Sequence, residues 1–253
     1  MPCGGLSCRD LAWRVVIDVL TLCCIAGYCH RGWGPIIEFV RLAGVRDAPS
    51  ARAGGDLANK VVHCAMQVTL AELPDVLVLK PRYFKDHRGY FVETYNARAA
   101  QEIGLKADFV QDNQAFSIQR GTVRALHFQV PPRAQAKLVR VLRGSIYDVA
   151  VDLRTGSPTY GRWTAVTLTA QGGEQVFVPR GFAHGYCTLE DNTEVAYKVD
   201  CYYAPECEQG IVWDDPTLAI GWPIAAGEAV LSDKDRKLSR FDQLVSPFPY
   251  NEG

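Results

Sequence analysis

From Met66 onward the chain breaks into short apolar runs, rich in β-branched and aromatic residues and separated by turn-forming residues. Residues 76–79, 90–94, 123–130, 137–142, 146–153, 163–169, 175–178 and 195–202 each have the composition and length of a strand. Arg143-Gly144 joins two of them as a hairpin turn, and Ser157-Pro158-Thr159-Tyr160-Gly161 and Gly172-Gly173 mark two further reversals. Only residues 97–103 read as a helix. Many strands at this spacing predict an all-β sandwich or barrel, with a jelly roll as the preferred form. Such a barrel has a mouth between its sheets where inward polar side chains can meet a small ligand.

Upstream of Met66 the pattern changes. Residues 12–28 form a nearly unbroken apolar run, interrupted by Asp18 and edged by Arg14, which is shorter than the roughly 20 residues a membrane span needs. No small-residue cleavage pattern follows it cleanly, so neither an anchor nor a signal peptide is expected. Residues 35–42 begin at a proline and fit a short helix, and 43–58 have the Ala/Gly/Arg composition of a linker. The expected division is an N-terminal extension over 1–65, with some helix, and a working domain over 66–253.

A chain of 253 residues with 48% hydrophobic content can bury a core, while a formal net charge of −1 provides no overall field for nucleic acid or an anionic membrane. Any phosphate must therefore be met by local arginines and lysines. Of the nine cysteines, Cys3, Cys8, Cys23, Cys24, Cys29 and Cys64 precede Met66, and only Cys187, Cys201 and Cys207 follow it. The odd total, with no pair at the two-residue gap of a zinc knuckle, argues against a metal or disulfide framework. It favours a reducing compartment and a cytoplasmic location.

The chemistry-bearing residues are His127 in Arg124-Ala125-Leu126-His127-Phe128-Gln129, His184 in Pro179-Arg180-Gly181-Phe182-Ala183-His184-Gly185, and Lys137, Asp148 and Tyr197 on neighbouring strands. By the two-residue strand period Lys137 shares a face with Val139 and Val141 and points inward, where Asp148 is a plausible partner for its charge. Arg124 and His127 are an odd number of positions apart, so both can face one pocket only if a bulge or kink lies near Ala125-Leu126. The His184 segment matches the spacing of the second metal-binding box of cupins. The first box would be His127-Phe128-Gln129, with glutamine in place of its second histidine, so the visible ligands fall short of a metal shell.

Asp86-His87-Arg88-Gly89-Tyr90-Phe91-Val92-Glu93, Phe109-Val110-Gln111-Asp112-Asn113, the His127 and His184 motifs, Asp148-Val149-Ala150-Val151-Asp152 and Trp213-Asp214-Asp215-Pro216 occur in the order of one family. Over about residues 73–235 the chain resembles the dTDP-4-dehydrorhamnose 3,5-epimerases. The resemblance implies a cupin-type jelly roll, a homodimer, a dTDP-sugar substrate, and no metal or cofactor. It assigns His127 as base with Asp235 as its partner, Asp233 competing. It makes Tyr197 the acid, Tyr202 and Tyr203 being alternatives, and gives Lys137 the enolate oxygen. Arg124 and His184 would grip the diphosphate, Asp148 would orient Lys137 or His184, and Phe84, Arg88, Glu93, Gln111 and Asn113 would contact the nucleotide, some across the dimer. Ala125 stands where the family usually has glycine. Three alternatives stay open: an epimerase acting at one carbon, a non-catalytic sugar-nucleotide-binding module, and a metal-dependent cupin enzyme.

Overall fold

The computed structural model describes residues 60–63 and 66–250, so the expectations for 12–28, 35–42 and 43–58 lie outside the described residues. The described chain is almost entirely β. Fourteen strands form sheets of seven, five and two strands. The seven-stranded sheet contains β1 (Lys60–His63), β2 (Met66–Leu70), β3 (Leu77–Pro81), β11 (Gln175–Val178), β8 (Lys137–Arg143), β13 (Thr193–Val199) and β6 (Gln111–Ser117), in that spatial order. The five-stranded sheet runs β10 (Trp163–Thr169), β9 (Ser145–Asp152), β12 (Phe182–Thr188), β7 (Val123–Gln129) and β14 (Glu208–Gly210). β4 (Tyr83–Asp86) and β5 (Gly89–Val92) form a separate hairpin. The expected cupin-type jelly roll is the fold found.

Apolar side chains fill the space between the two large sheets. Val139, Val141, Val176 and Val195 from the first meet Ile146, Ala150, Leu168, Phe182 and Tyr186 from the second. The five-stranded sheet is covered on its other face as well: Val149, Val151, Ala125 and Ala183 pack with Trp213, Leu218 and Phe248 of the C-terminal segment. A strand buried on both faces reads as a continuous apolar run, which is why β9 is so plain in the sequence. The first sheet's outer face carries helix α1 (Ala97–Glu102), capped by the Asn96 side chain.

The predicted hairpin at Arg143-Gly144 is present, with Gly144 at φ +75° between β8 and β9. Just upstream of the expected boundary at Met66, β1 pairs antiparallel with β2, from Lys60↔Thr69 to His63↔Met66. Five strands went unread between Met66 and the C-terminal segment: β2, β4, β6, β12 and β14.

Candidate active site

The two large sheets face each other across a cavity of about 420 Å³. Its lining includes Arg124, His127, Lys137, His184, Tyr186, Tyr197 and Asp235. A second cavity of about 340 Å³ shares His127, Lys137 and Tyr197, and adds Gln111, Asn113, Tyr203 and Glu208. Cationic and other titratable groups thus meet where the two hollows share walls.

A bulge in β7 makes this convergence possible. His184 pairs with His127 and Tyr186 with Arg124, so one residue of β12, Gly185, stands opposite two of β7, Ala125 and Leu126. The extra residue reverses the parity, and Arg124 and His127 line the same cavity as the sequence required. The Ala125-Leu126 peptide is cis. Ala125 is not among the positive-φ residues, so its methyl meets no backbone objection. The space is supplied by Gly185, where an added Cβ would come within 2.5 Å of the Ala125 Cβ.

His127 Nε2 lies 2.6 Å from Asp235 Oδ1. Asp235 is delivered by a 3-10 turn, Asp235–Lys237, in which its backbone N–H donates to Ser232 Oγ at 3.1 Å. Burial raises the carboxyl's pKa, but the hydrogen bond and charge of His127, with Ser232 and Lys234, outweigh it and hold Asp235 below the usual value. Asp233 is exposed, so the competition between the two aspartates resolves in favour of Asp235 as the residue bonded to His127.

His184 Nε2 lies 2.9 Å from Asp148 Oδ2, both buried. Asp148 therefore bonds His184 directly and reaches Lys137 only through its field, while Lys137 Nζ donates to the His127 carbonyl at 3.3 Å. Burial pushes the Lys137 ammonium down to about 8, against the upward pull of Asp148 and Glu208. Burial, aided by the charges of Lys137 and His127, also lowers His184 below its ordinary value against the upward pull of the Asp148 carboxylate. Tyr197 is pushed up by burial and remains a protonated phenol. Of the competing tyrosines, Tyr202 lines neither cavity, and the Tyr203 hydroxyl donates to Glu208 Oε2 at 2.5 Å.

Gln129, where a cupin would place a metal ligand, is engaged by backbone. Its amide nitrogen donates to the Arg133 and Tyr202 carbonyls at 2.6 and 3.3 Å, and its oxygen accepts from Ala204 N at 2.9 Å. Among the described residues no group of three or more His, Cys, Asp or Glu is placed to hold a metal ion. Gln111 and Asn113 bond each other at 2.9 Å in the second cavity. Phe84, Arg88 and Glu93 lie outside both cavities, exposed on and after the β4–β5 hairpin. Sequence reasoning missed Glu208, Lys234 and Tyr186. Lys234 Nζ and the Tyr203 hydroxyl share one Glu208 oxygen, each at 2.5 Å, and no spacing along the chain announces that triad.

A model of the dTDP-4-dehydrorhamnose 3,5-epimerase family matches residues 70–243. The chain belongs to the dTDP-4-dehydrorhamnose 3,5-epimerase family. An epimerase of that name from Shigella flexneri is 45% identical over 177 residues, covering 70% of this chain and 96% of the relative. The family's crystal structures superpose well. The Bacillus anthracis epimerase, solved with TDP and PPi bound, has a TM-score of 0.67 at 48% identity, covering 70% of this chain and 99% of that one. The Legionella pneumophila member, in complex with dTDP-4-keto-L-rhamnose, gives a TM-score of 0.70 at 38% identity, covering 74% and 100%. The epimerase family's likeness covers every residue of the first cavity, all between positions 115 and 235, and the strands of the two large sheets from β3 onward.

Proposed function

We propose that the protein epimerises dTDP-4-dehydro-6-deoxy-D-glucose at C3 and C5 to dTDP-4-dehydro-L-rhamnose. The observation that carries this reading is the His127–Asp235 pair, at 2.6 Å, facing Lys137 and Tyr197 across one cavity. His127 projects from the five-stranded sheet, Lys137 and Tyr197 from the seven-stranded one. Inversion at a carbon needs a base on one face and an acid on the other, and two opposed sheets supply both.

His127 takes the hydrogen at C3 or C5 as a proton, and the bonding pair moves to the C4 oxygen, forming an enolate. Asp235 fixes the ring's tautomer and supports the imidazolium that forms. The Lys137 ammonium holds the enolate oxygen, where a charge out of water is worth far more than in it. Tyr197 delivers a proton to the opposite face of the carbon, and the enolate pair returns to make the new C–H bond. Arg124 and neutral His184 hold the diphosphate, with Asp148 orienting His184. Gln111 and Asn113 meet the nucleotide in the second cavity.

The reading includes a homodimer in which Phe84, Arg88 and Glu93 of one copy complete the other's nucleotide site. The exposed aromatics Phe84, Tyr90 and Phe91 support such a contact, and a light-scattering mass of about twice 28.0 kDa checks it. It also includes a cytoplasmic location, supported by the free thiols of Cys187, Cys201 and Cys207. Among the described residues no helix is long and apolar enough to cross a membrane.

Incubation with the substrate in D₂O, read by NMR, should give deuterium at both C3 and C5. His127→Ala should abolish exchange at both carbons. Absence of exchange in the unaltered protein would overturn the reading, and exchange at one carbon only would reduce it to a single-carbon epimerase.

A further inference from the structure

The Tyr186 hydroxyl is anomalous for a buried polar group. The residue is 4% exposed, it lines the first cavity, and its oxygen has no hydrogen-bond partner. The neighbouring Ser117 hydroxyl bears on its ionisation. A buried hydroxyl with no partner costs stability that an apolar ring of the same shape would not. Phenylalanine would fill the same core position, beside Val195 and Phe182, without that cost. A buried hydroxyl left unpaired on a residue that lines a cavity is placed to take its partner from what fills the cavity.

The location of the phenol restricts what that partner is. Tyr186 pairs with Arg124 on one neighbouring strand and with Asp148 on the other, and its ring lies 6.4 Å from that of His184. The field of Arg124 bears on it first and that of Tyr197 next. It cannot serve as a second acid, because it rises from the same sheet as the base His127, whereas an acid must act from the opposite face. On the reading proposed above, Arg124 holds the diphosphate and Tyr197 reaches the reacting carbons. The hexose substituent between the phosphate-bearing C1 and the reacting C3 is the hydroxyl on C2.

We propose that Tyr186 is a substrate-binding residue whose hydroxyl bonds the 2-hydroxyl of the substrate's hexose. The bond fixes rotation about the anomeric linkage and presents the C3 and C5 hydrogens to His127. This rests on the epimerase reading, and the test separates the two.

The experiment compares the full-length protein with Tyr186→Phe, on the natural substrate and on its 2-deoxy analogue, following deuterium incorporation. The unaltered protein must first show exchange with the natural substrate; if it does not, the epimerase reading has failed and this inference falls with it. Given exchange, Tyr186→Phe is expected to lower kcat/KM on the natural substrate about tenfold, the worth of one hydrogen bond. The unaltered protein should lose a similar factor on the 2-deoxy substrate, and the variant should lose nothing further there. The free variant should melt about 2–4 °C higher, since an orphaned hydroxyl has been removed. Equal impairment of the variant on both substrates, unchanged kcat/KM on the natural one, or a lower melting temperature would overturn the assignment.

Discussion

An ammonium held between two sheets gives up hydration, and Lys137 shows the consequence in a pKa pushed down to about 8 by burial, with Asp148 and Glu208 limiting the fall. On the proposed mechanism the charged form holds the enolate, so kcat/KM should fall as pH rises through about 8. Stability moves the opposite way. Between about 8 and the ordinary 10.5 the unfolded chain binds the proton that the folded chain has released, so unfolding free energy rises with pH across that window. A pH–rate profile beside a pH series of denaturant melts should show the two slopes diverge. Lys137→Met should flatten the melt series and reduce activity about 10²-fold or more; parallel slopes would contradict the assignment. Lys137 and His127 were legible because a cation and an imidazole inside apolar β runs are conspicuous. Asp235 was not legible from spacing, since 108 positions separate it from His127, and only family likeness preferred it to Asp233. Glu208 and Tyr186 gave no signal at all: the first looks like a surface acid, the second like one more core aromatic.

The strands that eluded the hydrophobic pattern are informative in their own right. β6 reads Gln-Asp-Asn-Gln-Ala-Phe-Ser, with no apolar alternation, because its inward residues Gln111 and Asn113 line a cavity in place of a core. β12 carries histidine and glycine yet is buried at all seven positions, its polar groups paired across the sheet or turned to the site. Binary patterning reports packing against hydrocarbon, and it fails wherever a strand packs against ligand space. The β7 bulge was legible, since the odd spacing of Arg124 and His127 demanded it. Its counterpart on β12 was not: Gly185 leaves the volume that the Ala125 methyl enters, and a Cβ there would also stand 2.7 Å from Ala125 Cα and 2.9 Å from the Arg124 carbonyl. Gly185→Ala should therefore destabilise the fold by about 1–3 kcal/mol and displace Arg124 and His127 together, raising KM and lowering kcat. Ala125→Gly in the same chain should restore part of the loss, the backbone contacts remaining. A Gly185→Ala protein with unaltered melting and kinetics would show that the bulge has slack.

At the scale of the molecule, the residues that make the sheets and line both cavities fall between positions 60 and 250, and the family match covers 70–243 of them. The residues from Gly55 to Gly253 form a compact unit of their own. The sequence suggested that the working domain starts at Met66, the point where strand patterning becomes evident. Upstream of that point β1 covers the edge of β2 with backbone pairs from Lys60↔Thr69 to His63↔Met66. A four-residue strand beside a linker-like stretch is too short to stand out by periodicity. Two truncations follow from this geometry. A chain beginning at Gly55 keeps every described strand and both cavities, and should exchange deuterium at the full-length rate. A chain beginning at Met66 keeps the catalytic walls, since β1 lies at the far edge of the seven-stranded sheet from β13 and β6. It bares the backbone of β2, however, and an uncovered edge pairs readily with other chains. It should remain active per folded molecule, melt lower, and aggregate at concentrations where the longer chain stays dispersed. Loss of exchange in the chain beginning at Gly55 would mean that residues upstream of the described domain contribute to the reaction.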